Sequence, residues 1–289
     1  MSRSGASATA TPPPVRRWLA EAALRIDAAL GPARVTRVVL PPLAEQPGKE
    51  GEFCAVQLDC GSVGLAFTLL EGTLATLHAR GQSRGCAAAE LVRGYAEGGM
   101  AERTLGLATI NALTRRLHDR AGYAPDGSVD SFGALELAAG DRLGMIGHFT
   151  PLIRQARDLD VPVTVLELKP ELVREEPGLI VTLDPARLAG CDKIVTTSTL
   201  LLNDTLEAVS ALWRGARAVA MVGPSAGCPP DPLFAAGVTT VGTAWVEDAE
   251  AFLACVAEGA RWGASSRKVT LTPQQYPGFD ALLEKARRA

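Results

Sequence analysis

Hydrophobic positions in the first 120 residues follow a helical period, then a strand period, and then a helical period again. Large apolar side chains recur every three or four residues from Val15 onward, which predicts an amphipathic helix that ends before Gly31-Pro32. Three apolar and β-branched runs follow, and a short polar turn predicts that the last two form a hairpin. The predicted strands are 35–40, 53–58 and 63–70, and further helices are predicted at 87–96 and 102–120.

After residue 140 the pattern changes to strands and helices that alternate along the chain. Such alternation over about 120 residues predicts an open parallel sheet with helices on both faces. The predicted strands are 143–146, 161–166, 191–197, 216–222 and 238–241, and the predicted helices include 152–159, 202–213 and 248–260.

These patterns divide the chain into five predicted parts. Residues 1–14 are small, polar and proline-rich, which predicts a disordered tail. A small α+β domain is predicted at 15–122, followed by a linker at 123–140 that begins with a run rich in glycine and serine. The parallel-sheet domain is predicted at 141–265, and 266–289 form a C-terminal extension with a charged helix.

A glycine turn follows the first strand of the predicted sheet, and Glu167 ends the second strand. In such a βαβ unit a Gly144–Gly147 turn lies at a helix N-terminus, where free N–H groups favour an anion or a polar ligand. Glu167 then lies where a ribose hydroxyl or a cation could be held. The spacing is not the full G-x-G-x-x-G, so close packing of the turn is the alternative for each glycine.

Ligands of open parallel sheets bind beyond the carboxyl ends of the strands, where the strand order reverses. Four of the five predicted strand ends are followed by small, hydroxylated or glycine residues, which let backbone approach a ligand or provide hydrogen bonds. We therefore predict a ligand-binding edge. Its candidate residues are Gly144, Gly147, His148, Phe149, Glu167, Thr197, Ser198, Thr199, Asn203, Gly223, Pro224 and Ser225.

Some of these residues have structural alternatives that the sequence leaves open. A serine, threonine, asparagine or aspartate after a strand can serve only as a helix N-cap, and a Gly-Pro pair can be a plain turn. The residues with these alternatives are Ser198, Thr199, Asn203 and Asp204 as caps, and Gly223-Pro224 as a turn.

Three residues are candidate metal ligands: His148, Asp204 and Cys228. His148 follows the glycine turn and could equally be a general base or a loop residue. The sequence contains no H-E-x-x-H motif and no paired cysteines, so a usual preformed zinc site is not predicted.

Composition narrows the classes of partner and the compartment. The chain has 289 residues, is 47% hydrophobic and carries a net charge of −3, which gives no reason to expect nucleic acid or an anionic membrane as a partner. No apolar run reaches the ~18 residues of a membrane span, and the N-terminus lacks a secretory pattern. Six scattered cysteines indicate reduced thiols and therefore a cytoplasmic protein. A homodimer is one possible assembly.

Several sequence blocks, taken in order, resemble a known family. GMIGHFTPLI, VLELKP, TTSTLLNDTLE and VGPSAG resemble the Rossmann-like domain of the family named "putative heavy-metal chelation". The earlier blocks VGLAFT and ERTLGLATINAL resemble its smaller N-terminal domain. The resemblance implies an α/β protein in which an enolase N-terminal-like α+β domain precedes a Rossmann-like open parallel sheet. It also implies a cleft between the domains and a role in metal handling.

This chain departs from the family pattern at two residues. Thr197 and Asp204 stand where the pattern usually has glycine. We expect the bulk of Thr197 to narrow the cleft, and the charge of Asp204 either to add a cation ligand or to favour a helix N-terminus. Asn111, in the helix of the ERTLGLATINAL block, is a further candidate for contact with a ligand or with the other domain.

Three functions remain open from the sequence. The first is the handling of a metal ion or metal complex as a small ligand between the domains, with nitrogen, oxygen and sulfur donors suited to a transition metal. The second is an enzyme with an adenosine-containing cofactor, S-adenosylmethionine or NAD(P), whose ribose is held by Glu167. The third is a regulatory domain that binds a small metabolite.

Overall fold

The computed structural model describes residues 14–43, 51–81, 85–127 and 130–289. Apart from Pro14, the tail predicted to be disordered lies outside these residues. The N-terminal part consists of four helices and three antiparallel strands among the described residues, and the strands pair in chain order. These elements are α1 (Val15–Leu30), β1 (Val35–Val39), β2 (Gly51–Leu58), β3 (Val63–Leu69), α2 (Ala75–Arg80), α3 (Ala88–Glu97) and α4 (Met100–Ala121).

The rest of the chain builds a second, larger sheet, which has eight strands in the described ranges. Its strands are β4 (Leu143–Ile146), β5 (Val163–Leu166), β6 (Arg174–Glu176), β7 (Leu179–Thr182), β8 (Lys193–Thr197), β9 (Ala218–Val222), β10 (Thr240–Val246) and β11 (Ser266–Leu271). The accompanying helices are α5 (Thr150–Asp158), α6 (Leu206–Ser210), α7 (Asp231–Ala235), α8 (Ala249–Glu258) and α9 (Phe279–Arg288).

The strand order of the large sheet is β11-β10-β9-β8-β4-β5-β7-β6. All neighbouring pairs from β10 to β7 are parallel, and the edge strands β11 and β6 are antiparallel to their neighbours. After β4, the chain adds β5, β6 and β7 on one side of that strand, and it then adds β8 to β11 on the other side. The strand order therefore reverses between β4 and β8. The predicted α/β fold, with an open and mostly parallel sheet after a small α+β unit, is confirmed.

Helix α4 connects the two parts of the molecule. Most of its residues are buried, because it packs on β2 and β3 on one side and on α1, α3 and α9 on others. The apolar core around it runs without interruption into the large sheet, through residues such as Ile146, Ile194 and Val241. The opposite face of the large sheet packs under α5 in a separate core. Such a continuous apolar junction favours a fixed arrangement of the two parts.

The structure differs from the sequence prediction in one helix and in one edge strand. The helix predicted at 202–213 is replaced by α6 between two short 3-10 turns, because Asp204 adopts a left-handed backbone with φ of +57°. Strand β11 was not predicted, and it joins the large sheet although the sequence analysis assigns 266–289 to an extension. Within the described ranges, no helix is both long and apolar enough to span a membrane.

Candidate functional site

The strand order reverses between β4 and β8, so the carboxyl ends of these two strands flank the point of reversal. In open parallel sheets, ligands bind in the crevice at such a point. Gly147 follows β4 with φ of +90°, a conformation that favours glycine. Thr197 ends β8, and its Cγ2 atom lies 3.5 Å from the position that a Cβ atom on residue 147 would occupy. The threonine side chain therefore lies beside the glycine at van der Waals distance.

The first turn of α5 offers few free N–H groups to an anion. Pro151 has no amide proton, and the N–H groups of Leu152 and Ile153 both donate to the carbonyl oxygen of Phe149 at 3.0 Å. A phosphate cradle of the dinucleotide-binding kind needs several unpaired N–H groups at this position. The local backbone does not favour that use.

Gly144 lies inside β4 and does not take part in the turn. A Cβ atom at this position would stand 2.3 Å from Ile194 Cδ1 and 3.1 Å from Cys191 Cβ. The predicted Gly144–Gly147 ligand turn is corrected in this respect. Gly144 permits close packing of the strand, and Gly147 alone forms the turn.

His148 and Glu167 follow the neighbouring strands β4 and β5, and each contacts a nearby group of the protein. His148 Nε2 lies 3.3 Å from Arg174 Nη2, a contact in which the guanidinium donates and the imidazole accepts. Glu167 Oε1 accepts a hydrogen bond of 2.8 Å from the N–H group of Leu168. Both side chains are partly exposed, so a ligand at this edge would compete with weak local contacts.

A cavity of about 600 Å³, which we name the large cavity, opens on the α5 side of the large sheet where β10 and β11 extend past the end of β9. Its volume lies within the ~300–1,000 Å³ typical of small-molecule sites. Among the predicted site residues, Phe149, Gly223 and Pro224 line it. The residues that the sequence analysis missed include Ser131, Phe132, Leu152, Gln155, Trp262, Arg267 and Lys268.

Two cations and one carboxylate line the large cavity, so its charged groups are net positive. Arg267 pairs with Glu247 at 3.1 Å, and its guanidinium lies 5.7 Å from the centre of the Trp245 ring. Lys268 is 88% exposed at the cavity mouth, and its Nζ atom lies 3.7 Å from Asp130 Oδ1. Because this pair is long and exposed, Lys268 is available to an anionic ligand.

Gly223 and Ser198 pack against each other at the end of β9. The backbone of Gly223 has φ of +144°, and a Cβ atom there would stand 2.1 Å from Ser198 Oγ. Ser198 is buried, and Thr199 donates its N–H group to Thr197 Oγ1 at 3.2 Å. The Thr197 hydroxyl therefore caps this turn, and the buried Ser198 side chain packs against Gly223. The capping residue precedes Ser198 and Thr199, which the sequence analysis names as possible caps.

Ser225 and Asn111 connect the two parts of the molecule. Ser225 Oγ accepts a hydrogen bond of 2.8 Å from the N–H group of Phe67 in β3. Asn111 Nδ2 donates to the carbonyl oxygens of Leu65 and Ser225, at 2.8 and 2.9 Å. Asn111 therefore contacts the other domain, as one of its two predicted roles requires, and its amide group ties β3 and the end of β9 to α4.

Asp204 faces two arginines of the N-terminal part. Its carboxylate lies 3.0 Å from Arg16 of α1 and 2.7 Å from Arg103 of α4. The neighbouring Asn203 accepts a hydrogen bond of 2.6 Å from Thr205 Oγ1. Two guanidinium groups beside one carboxylate repel a further cation, so this geometry supports a docking role for Asp204 and argues against metal coordination.

Cys228 is buried, and desolvation raises the pKa of its thiol to about 12. The thiolate form that binds metals is therefore rare at neutral pH. In the described part of the chain, no group of three or more His, Cys, Asp and Glu side chains is arranged to hold a metal ion. The candidate ligands His148, Asp204 and Cys228 are thus not assembled into one site.

Cysteine alkylation tests the assignment of Cys228 as an unreactive thiol. We expect iodoacetamide at pH 7.5 to modify the exposed Cys60 in the native protein and to leave Cys228 unmodified, as measured by peptide mass spectrometry. In urea all six cysteines should react. Labelling of native Cys228 at the rate of Cys60 would contradict the burial of its thiol.

Two regions of the chain match models of known protein families. Two family models match the chain, one at residues 51–114 and one at residues 130–273, and both are described as putative heavy-metal chelation. The chain belongs to this family. Together the two models span two of the three strands of the small antiparallel sheet and all eight strands of the large sheet, so the resemblance in the sequence blocks is confirmed. No curated protein matches the chain.

Two solved structures of the family share the fold. A protein of unknown function from Pyrococcus horikoshii is 19% identical, with a TM-score of 0.65 over 88% of this chain and 99% of its own. A second, from Desulfitobacterium hafniense, is 21% identical, with a TM-score of 0.63 over 87% of this chain and 98% of its own. At these identities the likeness establishes the α/β fold and carries no statement about chemistry.

Proposed function

We propose that this member of the heavy-metal chelation family binds a metal that is already held in an organic complex, with the complex in the large cavity. The observation that carries the proposal is a small-molecule-sized cavity at the carboxyl edge, together with the lack of an assembled metal-ligand cluster among the described residues. A bare ion would need three or more protein donors. A complexed ion brings most of its ligands with it.

The walls of the large cavity suit an anionic organic molecule. Phe132, Phe149, Leu152 and Trp262 supply apolar and aromatic surface, and Lys268 supplies a cation at the mouth. Apolar walls with a few polar groups are typical of sites for small organic ligands. Citrate, hydroxamate and catecholate complexes of transition metals combine a negative charge with organic surface, and we place the ligand in this class.

The proposed position differs from the interdomain cleft expected from the resemblance. The walls of the large cavity come from 130–132, 149–155, 222–224, 242–244 and 262–269, which all belong to the large sheet and its connections. In our proposal the small α+β part fixes the back of the β9 and β10 ends and does not contact the ligand. We further propose that the protein works in the cytoplasm, and a homodimer is compatible with this proposal.

The nucleotide alternative has less geometric support. An adenosine cofactor would place its phosphates or its methionyl tail over Gly147, and the Thr197 side chain lies beside that position. In the first turn of α5, Pro151 has no N–H group and the N–H groups of Leu152 and Ile153 are paired with Phe149. Glu167 keeps the position that could hold a ribose, but its Oε1 atom already accepts from Leu168.

Thermal stability in the presence of defined complexes tests the proposal. We expect iron(III) citrate or nickel(II) citrate to raise the melting temperature by several degrees, because a ligand at one hundred times its Kd stabilises the folded state by about 2.7 kcal/mol. Free citrate or the free metal salts should have a smaller effect. A larger shift with bare nickel(II) than with its citrate complex would contradict binding as a complex.

A charge reversal at the cavity mouth locates the ligand. Lys268→Glu is expected to weaken binding of the citrate complex about tenfold, measured by calorimetry, because it replaces an attraction by a repulsion. Lys285→Glu in α9 makes the same charge change at an exposed position away from the cavity and should leave the affinity nearly unchanged. Equal losses in the two variants would place the ligand elsewhere.

A further inference from the structure

The floor of the large cavity carries little side-chain bulk at β10. Trp245 faces α4, where its ring stacks on His118. Because side chains alternate along a strand, Gly242 and Ala244 face the other side of the sheet, where the large cavity lies. A Cβ atom on Gly242 would stand 2.1 Å from Ser131 Oγ, so the serine hydroxyl takes the place of a side chain there. The floor at β10 is therefore flat, with a hydroxyl group at one position and a methyl group at the next.

Two aromatic side chains flank this floor. Phe149 follows β4 and Trp262 precedes β11, and three strands lie between β4 and β11 in the sheet. Both side chains line the cavity and are partly exposed. The Trp262 ring makes edge contacts with Phe53 and Phe252, at 5.7 and 5.3 Å between centroids, which hold its orientation. A flat floor between two aromatic side chains favours a planar ring over a branched aliphatic ligand.

Lys268 places a cation beside the floor. It stands opposite Ala244 in the β10–β11 ladder, so the two side chains lie on the same face of the sheet. The lysine side chain is 88% exposed, and its long exposed pair with Asp130 leaves the ammonium group available to an anion. A ligand over Ala244 would therefore meet this cation at one edge and the Ser131 hydroxyl nearby.

We propose that the organic part of the bound complex is a planar aromatic acid of the catecholate class. This assignment rests on the proposed function, which places a metal complex in the large cavity. The ring lies over Gly242 and Ala244 between Phe149 and Trp262, and its acid group pairs with Lys268. Two adjacent ring oxygens hold the metal ion, so the complex needs no cluster of metal ligands from the protein. Citrate and hydroxamates lack the ring and make less contact with these walls.

Calorimetry with two iron(III) complexes tests the ligand class. We expect the complex of 2,3-dihydroxybenzoate to bind about tenfold more tightly than the citrate complex, because only the former can stack on aromatic walls. Equal or tighter binding of the citrate complex would overturn the aromatic class and leave the proposed function intact. If neither complex binds, the ligand class and the proposed function both fail.

Substitutions in the cavity locate the ring. Phe149→Leu keeps an apolar side chain and removes the aromatic face, so the affinity for the dihydroxybenzoate complex should fall about fivefold and that for the citrate complex less than about twofold. The same change at Phe234 in α7, outside the cavity lining, should alter neither affinity. Ala244→Leu puts bulk on the floor and should weaken the dihydroxybenzoate complex by about tenfold or more. Equal losses of both complexes in Phe149→Leu, or an unchanged affinity in Ala244→Leu, would contradict the proposed seat of the ring.

Discussion

Replacement of Gly64 by alanine is expected to destabilise the protein by about 3 kcal/mol or more. Gly64 lies in β3, where α4 crosses the strand. A Cβ atom on residue 64 would stand 2.2 Å from the carbonyl oxygen of Ala108 and 2.2 Å from the amide nitrogen of Ala112. Both atoms are helix backbone and cannot rotate away, so the whole of α4 must move off the small sheet.

Urea denaturation measures this effect, with Gly215→Ala as the matched control. Gly215 has no neighbour within 4 Å of its Cβ position and no positive φ, so its substitution should change the free energy of unfolding by less than about 0.5 kcal/mol. Similar midpoints for Gly64→Ala and the native protein would show that α4 does not lie this close to β3.

Gly64→Ala is also expected to weaken contacts outside the small sheet. Helix α4 also carries Asn111, whose amide group donates to Leu65 in β3 and to Ser225 after β9. A displaced α4 therefore loses the hydrogen bonds that join the two parts of the molecule. We expect Gly64→Ala to lower the cooperativity of unfolding as well as its midpoint, because the continuous core is divided at this contact.

Local periodicity was sufficient to predict the βαβ unit at β4, α5 and β5. Its three segments have clear strand or helix periods, and a positive-φ glycine marks the turn between the first two. The carboxyl edge also followed from the sequence, because the alternation of strands and helices fixes the direction of every parallel strand. The structure places Phe149, Gly223 and Pro224 together along the large cavity on that edge.

The interrupted helix at 202–213 could not be predicted from its own residues. Apolar positions there fit a helical period, yet Asp204 has a left-handed backbone and pairs with Arg16 and Arg103. These partners lie 188 and 101 positions away in the sequence. A long-range ion pair overrides local propensity in such a case, and only the assembled fold shows it.

Most of the large cavity was missed for a related reason. Ser131 and Phe132 lie in a segment that reads as a linker, and Lys268 lies in a segment that reads as an extension. Strand β11 brings Lys268 opposite Ala244 by pairing antiparallel with β10. The segment 266–271 carries a weak strand signal, because its first three residues are all polar. In a pattern of alternating strands and helices, nothing marks an edge strand that pairs antiparallel with the last parallel strand.

Loss of the carboxylate of Asp141 is expected to cost about 3–5 kcal/mol of stability, because it leaves the buried Lys193 without a counterion. Asp141 Oδ2 lies 2.8 Å from Lys193 Nζ, and both side chains are 8% exposed. The carboxylate also accepts from the N–H group of Ala138 at 2.9 Å and pairs with Arg217. Lys193 keeps one bond, of 2.5 Å, to the carbonyl oxygen of Glu136.

Asp141→Ala, measured by urea denaturation at pH 7, tests this expectation. Glu284→Ala removes an exposed i,i+4 pair with Arg288 and should cost less than about 1 kcal/mol. The double variant Asp141→Leu with Lys193→Met should be more stable than Asp141→Ala, because no buried charge is left unpaired. A double variant no more stable than the single one would show that the ammonium group tolerates the loss.

Acid denaturation gives the same pair a second, independent signature. The hydrogen bond from Lys193, with the Ala138 N–H group and the nearby charges, lowers the pKa of Asp141 to about 2 from 3.8. The unfolded chain therefore binds the proton more readily than the native one, so this contribution is complete above pH 3.8 and disappears as the pH falls to 2. The stability difference between the native protein and Asp141→Ala should shrink over that interval. A difference that stays constant from pH 5 to pH 2 would mean that the carboxylate is not held by the ammonium group in the folded protein.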